Sequence, residues 1–184
     1  MTRPARWPRI FTVGHSDRSL ESFLALLAAS SVRLVADVRA NPTSERFPWF
    51  ERAALARSLE ERGLAYRWFR DLGGRRPPTR GEDEHTALAS EGLRRYAAAM
   101  SLPEFEAAVR DLLGLASSAV VAVMCAERDW RECHRALLAD KLHVMGAEVV
   151  HILGPDEVEP HDVHPDLHEE NGRIVYRTRQ LKLI

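Results

Sequence analysis

The sequence VVAVMCAERDWRECHR, residues 120–135, decides how the rest of the chain is interpreted. Its first half is apolar and rich in β-branched residues, which predicts a buried strand that ends near Cys125. Both cysteines of the protein lie in this stretch. The side chains with chemical functions that follow the strand are Glu127, Cys133, His134 and Arg135. A buried strand followed by a polar turn of this kind favours a functional loop.

Composition bounds the class of protein. A chain of 184 residues, of which 45% are hydrophobic and 29% charged, is typical of one globular domain. The 26 Lys and Arg residues balance 27 Asp and Glu residues, and the net charge of -1 excludes a general attraction to nucleic acid or to an anionic membrane. No apolar run reaches the roughly 18 residues of a membrane span, and residues 1–9 lack the apolar core of a signal peptide. We therefore expect a cytoplasmic protein.

Apolar runs of strand length alternate with segments of helical periodicity along the chain. The predicted strands are residues 10–14, 33–38, 64–69, 119–124 and 148–153, and the predicted helices are residues 20–28, 51–62, 93–100, 103–113 and 130–145. This alternation predicts a single-domain α/β fold, with an open, mostly parallel five-stranded sheet and helices on both faces in a Rossmann-like, three-layer arrangement. The predicted parts of the chain are an N-terminal arm (1–9), the α/β domain (10–153) and a C-terminal extension packing on the same domain (154–184), with a candidate short edge strand at 173–176.

Polar side chains follow four of the predicted strands. Open α/β sheets bind ligands beyond the carboxyl ends of their strands, so we expect these side chains to converge on one rim. The candidate catalytic residues are His15, Asp37, Cys125, Glu127 and His134. The candidate residues for holding a substrate or an anion are Ser16, Arg39, Gly73, Gly74, Arg75 and Arg135.

The two cysteines receive different interpretations. Cys125 ends a strand ahead of a helix, where free backbone amides favour a thiolate nucleophile, although a core cysteine fits the same pattern. Cys133 and His134 are neighbours on the predicted helix, so their side chains should point about 100° apart and cannot both face one atom without adjustment. Cys133 is therefore interpreted as structural, and His134 as a base, a ligand or a packed histidine.

The charged rim residues leave further alternatives open. Asp37 lies in an apolar strand and must be paired if ionised, and the imidazole of His15 is one partner that its carboxylate would orient. Arg39 and Arg135 are suited to bidentate capture of a phosphate or carboxylate. An internal ion pair with Asp37 or Glu127 is the alternative for these arginines.

Two other segments carry weaker signals. Residues 62–80 combine six arginines with three aromatic residues, a composition that can hold phosphates and stack bases but also suits a solvated surface. The acidic C-terminal extension contains three irregularly spaced histidines that favour no more than adventitious metal binding. These histidines are His161, His164 and His168.

Five motifs together resemble the domain of unknown function 488 (DUF488) family. They are Thr12-Val13-Gly14-His15-Ser16, Asp37-Val38-Arg39 with Pro42 and Ser44, Leu72-Gly73-Gly74, Met124-Cys125-Ala126-Glu127, and Cys133-His134-Arg135. The resemblance covers roughly residues 10–152 and implies a small α/β domain of bacterial and archaeal cytoplasm with no settled activity. Trp130 stands where the family pattern usually has proline, so the turn before the last helix is expected to differ here.

Three functions fit these residues. The leading hypothesis is a thiol- or histidine-dependent hydrolase or transferase acting on a phosphate-bearing substrate, a nucleotide or nucleic-acid base, with Cys125 as nucleophile or metal ligand and His15 or His134 as acid and base. The second is a non-catalytic nucleotide or nucleic-acid binding module that uses the arginine-rich loop. The third is a transition-metal protein using Cys125, Cys133, His134 and Glu127. The expected partner is a small anionic or nucleotide-like ligand, nucleic acid is compatible, a membrane is not, and the sequence specifies no metal or cofactor.

Overall fold

A computed structural model describes residues 8–178 of the chain. Most of the predicted N-terminal arm, residues 1–7, lies outside the described residues, as do residues 179–184 of the predicted C-terminal extension. The first described strand begins at Arg9.

A six-stranded sheet forms the centre of the fold. Its strands are β1 (Arg9–Gly14), β2 (Leu34–Asp37), β3 (Ala65–Trp68), β4 (Val121–Cys125), β5 (Glu148–Gly154) and β6 (Glu157–Pro160). They lie in the order β3-β2-β4-β1-β5-β6, and every neighbouring pair is parallel except β5 and β6. The predicted mostly parallel α/β sheet is confirmed, with β6 as an additional strand. That edge strand has mostly exposed side chains, so its sequence carries no apolar pattern.

Helices cover both faces of the sheet. They are α1 (Leu20–Ala29), α2 (Arg52–Glu60), α3 (Glu91–Ala99), α4 (Pro103–Ala116) and α5 (Arg135–Val144). One core packs α1 and α2 against Ala122 and Met124 of β4, and the other packs α3, α4 and α5 against Val121, Val123 and Cys125. The alternation of side chains along β4 therefore directs Cys125 towards the second core. No helix within residues 8–178 is long and apolar enough to cross a membrane.

The segment before α5 is a turn, and the predicted helix start at residue 130 is wrong by five residues. Trp130 is buried and stacks on His151 with ring centroids 3.9 Å apart. The carboxylate of Asp129 accepts a hydrogen bond from the backbone of Arg131, and the N–H of Cys133 donates to the carbonyl of Trp130. These contacts hold a turn where helical periodicity alone predicts a helix.

The C-terminal extension adds a small antiparallel sheet. Its strands are β7 (Leu167–Glu170) and β8 (Arg173–Tyr176). Residues 173–176 thus form a strand, but they pair with β7 rather than with an edge of the main sheet. Ile174 and Tyr176 are buried in the core beside α3, α4 and α5. This packing brings the extension next to α5.

Candidate active site

A cleft of about 1140 Å³ lies at the carboxyl ends of β1, β2 and β4. The predicted site residues that line it are His15, Ser16, Arg39, Gly74, Arg75, Cys125, Glu127 and His134. Cys133, which was interpreted as structural, lines it as well. The structure therefore brings together most of the residues that the sequence predicted on one rim. Asp37, Gly73 and Arg135 are not among the lining residues, and all three are buried.

Gly14 allows the loop after β4 to fold back over the end of β1. A Cβ atom on Gly14 would lie 1.9 Å from the carbonyl oxygen of Glu127, so only glycine fits there. The backbone N–H groups of His15 and Ser16 donate to the carbonyls of Cys125 and Ala126 at 3.0 and 2.8 Å. This pairing fixes the loop that carries Cys125 into the cleft.

Two thiols and one imidazole meet at the wall of the cleft. The Nδ1 atom of His134 lies 3.5 Å from Sγ of Cys133 and 3.9 Å from Sγ of Cys125. All three donor atoms lie within 4.8 Å of one another, and both cysteines are free and buried. We call Cys125, Cys133 and His134 the thiol cluster.

A backbone contact fixes the tautomer of His134. Its Nε2 atom lies 3.1 Å from the carbonyl oxygen of Val38, which can only accept a hydrogen bond. Nε2 therefore carries the proton, and Nδ1 presents a lone pair to the two sulfurs. Gly74 packs against the same ring, because a Cβ atom there would lie 2.3 Å from Nδ1 of His134.

The surroundings of the thiol cluster favour a negative charge on Cys133. A hydrogen bond from Cys125 lowers the pKa of Cys133, and the same interaction, together with burial, raises the pKa of Cys125. The backbone N–H of Arg135, at the start of α5, donates to Sγ of Cys133 at 3.5 Å. These interactions favour Cys133 over Cys125 as the position of a thiolate.

The expectation that Cys133 and His134 cannot face one atom is wrong. It assumed that both lie within a regular helix, where consecutive side chains diverge by about 100°. In the structure they precede α5, and the turn directs both side chains towards Cys125. The adjacent Cys-His pair next to Asp129, a turn-forming residue, was the signal that could have revealed this arrangement.

Asp37 forms an internal ion pair. Its carboxylate accepts hydrogen bonds from Nε and Nη2 of Arg39, at 2.9 and 2.6 Å, and from the hydroxyl of Tyr66 at 2.6 Å. The side chains of Asp37 and Arg39 are only 0% and 4% exposed. Burial, and then the neighbouring carboxylate, raise the pKa of Tyr66. Of the two alternatives for Arg39, the structure has the ion pair with Asp37.

His15 contacts Arg39 rather than Asp37. Its ring stacks on Phe50 with centroids 4.2 Å apart, and Nδ1 donates to the carbonyl of Ser16 at 2.9 Å. Nε2 therefore has the lone pair, and it lies 3.5 Å from Nη1 of Arg39. Burial lowers the pKa of His15 to about 4, so the imidazole is neutral near pH 7. The orienting pair considered between Asp37 and His15 is replaced by a contact through Arg39.

Arg135 is buried behind the cleft and does not point into it as an anion-binding residue would. Its Nη2 atom donates to the backbone carbonyls of Glu127 and Arg128, and its Nη1 atom lies 3.4 Å from the hydroxyl of Thr12. The guanidinium thus fastens the loop that follows β4. Glu127 itself is exposed on that loop.

The aromatic side chains of the arginine-rich segment make contacts within the protein, whereas five of its six arginines are exposed: Arg62, Arg67, Arg70, Arg75 and Arg80. The indole of Trp68 donates to the carbonyl of Arg39 at 2.9 Å. Arg67 pairs with Asp111, and Arg76 lies over the ring of Tyr96 at 5.8 Å. Rings held in this way are not free to stack bases along a strand of nucleic acid. Arg75 is exposed and lines the cleft.

Comparison with known proteins identifies the family. A family model described as Domain of unknown function DUF488 matches residues 19–142, and this span includes the whole thiol cluster. Neither a curated protein nor a solved structure matches the chain significantly. Because the family model covers more than half of the sequence, the chain belongs to the DUF488 family.

Proposed function

We propose that this protein is a metal-dependent enzyme in which the thiol cluster binds one divalent transition-metal ion. The observation that carries the proposal is the separation of the donor atoms, 3.5 and 3.9 Å from Nδ1 of His134 to the two sulfurs. Zinc bonds of about 2.3 Å to sulfur and about 2.0 Å to nitrogen put tetrahedral ligand atoms about 3.5 to 3.8 Å apart. Thiolate and imidazole are also the ligand types that zinc prefers.

The surroundings of the three donors match those of metal ligands. A ligating imidazole usually donates its second ring N–H to a backbone carbonyl or carboxylate, as His134 does to Val38. Cys133 receives a hydrogen bond from the backbone of Arg135, which supports a thiolate. A single catalytic nucleophile would need one thiol, whereas a metal site explains why two thiols converge on one imidazole lone pair.

The number of donors favours a catalytic rather than a structural site. Among residues 8–178, the donor group contains three side chains, and catalytic zinc sites typically combine three protein ligands with a water. A bound metal ion lowers the pKa of such a water to about 7. Glu127, which follows Cys125 by two residues and lines the same cleft, is our candidate for the base that takes its proton.

The charged residues that line the cleft limit the size and charge of the proposed substrate. Arg46 and Arg75 are exposed and line the cleft, so they can hold a phosphate or carboxylate group. Four carboxylates line it too, and they would repel a long polyanion. These are Asp17, Glu45, Glu127 and Glu132. We therefore propose a small substrate with one anionic group, which disfavours the nucleic-acid binding module.

Cobalt substitution tests the proposal. The untagged protein, stripped with a chelator, should take up one Co²⁺ per chain with thiolate-to-cobalt charge-transfer absorption and ligand-field bands of tetrahedral intensity. Cys125→Ser and Cys133→Ser should each weaken binding by at least about 100-fold, because each removes a thiolate ligand. His168→Ala, in the C-terminal extension, is the matched control for adventitious binding and should change nothing.

An added anion distinguishes a catalytic from a structural site. If one coordination position is open to solvent, azide or phosphate should shift the cobalt spectrum. Binding that is as weak in the native protein as in the cysteine variants would overturn the metal proposal. A tight site with a spectrum insensitive to anions would overturn its catalytic part.

A covalent thiol enzyme is the second candidate. The observation that favours it is the backbone N–H of Arg135 donating to Sγ of Cys133, next to a buried guanidinium. This assigns the nucleophile to Cys133, with Cys125 as its hydrogen-bond donor, rather than to Cys125. Iodoacetamide should then label Cys133 of the metal-free protein faster than Cys125. Slow labelling of both cysteines in the folded protein would exclude this candidate.

A further inference from the structure

A chain of hydrogen bonds runs behind the cleft between two buried groups of opposite charge. Its links are Arg135 Nη1 to Thr12 Oγ1 (3.4 Å), Thr12 Oγ1 to His151 Nδ1 (2.6 Å), His151 Nε2 to His161 Nδ1 (3.0 Å) and His161 Nε2 to Asp140 Oδ1 (2.9 Å). All five side chains are at most 1% exposed. We call these five residues the buried chain.

The charges at its two ends lack ordinary ion-pair partners. Within the described part of the protein, no carboxylate lies within ion-pair distance of Arg135. Asp140 contacts His161, the backbone N–H of His164 and the hydroxyl of Tyr176, but no lysine or arginine among residues 8–178. An isolated buried charge is costly, so each end depends on the polar groups that connect it to the other.

The two ends also favour one direction for the hydrogen bonds between them. A guanidinium only donates and a carboxylate only accepts, so Arg135 donates to Thr12 and His161 donates to Asp140. His161 then accepts at Nδ1 from Nε2 of His151, and His151 accepts at Nδ1 from the hydroxyl of Thr12. In this arrangement all four dipoles align from Arg135 to Asp140. Hydrogen bonds aligned in this way strengthen one another.

Arg135 connects the buried chain to the loop that lines the cleft. Its Nη2 atom donates to the carbonyls of Glu127 and Arg128, on the loop that joins Cys125 to Cys133. We propose that Thr12, His151, His161 and Asp140 are positioning residues, which hold Arg135 and through it the loop of residues 126–133. The relevance of this loop to catalysis rests on the proposed function, since Glu127 and Cys133 belong to that site.

The proposal gives the C-terminal extension a role in the site. His161 follows β6, and Tyr176 ends β8, yet both contact the same carboxylate of Asp140 on α5. Of the five residues of the buried chain, His151 and His161 lie beyond residue 142, where the family match ends. The extension therefore completes a network that reaches the loop of residues 126–133 through Arg135.

Hydrogen exchange of the metal-free protein tests this coupling. His161→Ala interrupts the hydrogen bonds and also removes the ring that packs on Trp130, with centroids 5.2 Å apart, so exchange of residues 126–133 should become at least about tenfold faster. His161→Gln also lacks the ring, but its amide can donate to Asp140 and accept from His151. It should therefore restore most of the protection if the hydrogen bonds to Arg135, rather than the ring, hold the loop. His168→Ala is the matched control in the same extension and should affect residues near 168 but not the loop.

The location of the faster exchange shows whether His161 positions the loop of residues 126–133 or stabilises only the C-terminal extension. If His161→Ala changes exchange around residues 157–176 and leaves residues 126–133 as in the native protein, the proposal is wrong. Should that variant fail to fold, Thr12→Val breaks the chain from the other end with a side chain of the same shape, and the same faster loop exchange is expected. Because no metal is present in this experiment, its failure would not bear on metal binding.

Discussion

The Nε2 atom of His134 donates a hydrogen bond to the backbone carbonyl of Val38 at 3.1 Å. Val38 directly follows β2, whereas His134 precedes α5, so the contact spans 96 positions in sequence. Because β2 pairs with β4, the carbonyl after β2 lies next to the thiol that ends β4. The order of the strands therefore decides which ring nitrogen faces the sulfurs.

Gly74→Ala should weaken metal binding by the thiol cluster. An added Cβ atom would lie 2.3 Å from Nδ1 of His134, so the ring must rotate or shift away from Cys125 and Cys133. We expect the affinity for Co²⁺ to fall by at least about tenfold, as for the loss of an orienting contact around a metal ligand. Competition with a chromophoric chelator measures this affinity.

Gly92→Ala is the matched control for that substitution. Gly92 lines the same cleft, but its added Cβ atom would meet only Ser90 Oγ, at an ordinary contact distance of 3.6 Å. The alanine should leave cobalt affinity unchanged and, within α3, stabilise the fold slightly. Equal affinities of the two alanine variants would show that the position of His134 does not determine metal binding.

Asp37→Asn should destabilise the protein strongly. The substitution leaves the guanidinium of Arg39 buried without its countercharge, and breaking a buried pair in this way costs about 3–5 kcal/mol. Tyr66→Phe removes a single hydrogen bond to the same carboxylate and should cost about 1.5–3 kcal/mol. Urea unfolding measures both values. A loss below about 1 kcal/mol for Asp37→Asn would mean that solvent or another group compensates Arg39.

The central strands were predictable because each is buried on both faces. Parallel strands such as β4 read as continuous apolar runs, and polar residues at their ends mark one rim of the sheet. That reasoning identified the rim on which the cleft lies and eight of the residues that line it. The edge strand β6 was not predictable in the same way, because its side chains are mostly exposed and form no apolar run. The true start of α5 was not predictable either, because tertiary contacts of Trp130 override the local helical periodicity.

The buried chain shows why the site is harder to predict than the fold. Thr12 and His151 lie on the adjacent strands β1 and β5, and the sequence of neither strand distinguishes them from other strand residues. They meet only because of the register between β1 and β5. His161 looked like one of several histidines in an acidic tail. No spacing along the sequence relates it to Asp140, since the contact depends on how the extension packs against α5.

His151 should make the stability of the protein depend on pH. Burial lowers the pKa of His151 from 6.5 to about 3, and the neighbouring His161, Arg135 and Arg131 act in the same direction. Trp130, Thr12 and His161 enclose the ring. The unfolded chain therefore binds a proton that the folded protein excludes between these two values. Stability from this group is complete above about pH 6.5 and falls as the pH decreases, by up to about 1.4 kcal/mol per pH unit.

Comparison with His151→Gln isolates this contribution. Carboxylates titrate in both proteins, so the difference between their unfolding free energies removes that background. Urea unfolding between pH 6.5 and 4 should give a native protein whose stability decreases more steeply than that of the variant, by about 1 kcal/mol per pH unit. Parallel pH profiles would show that His151 takes up a proton in the folded state, which would require the hydrogen bond between His151 and Thr12 to reverse, so that Thr12 accepts from both Arg135 and His151.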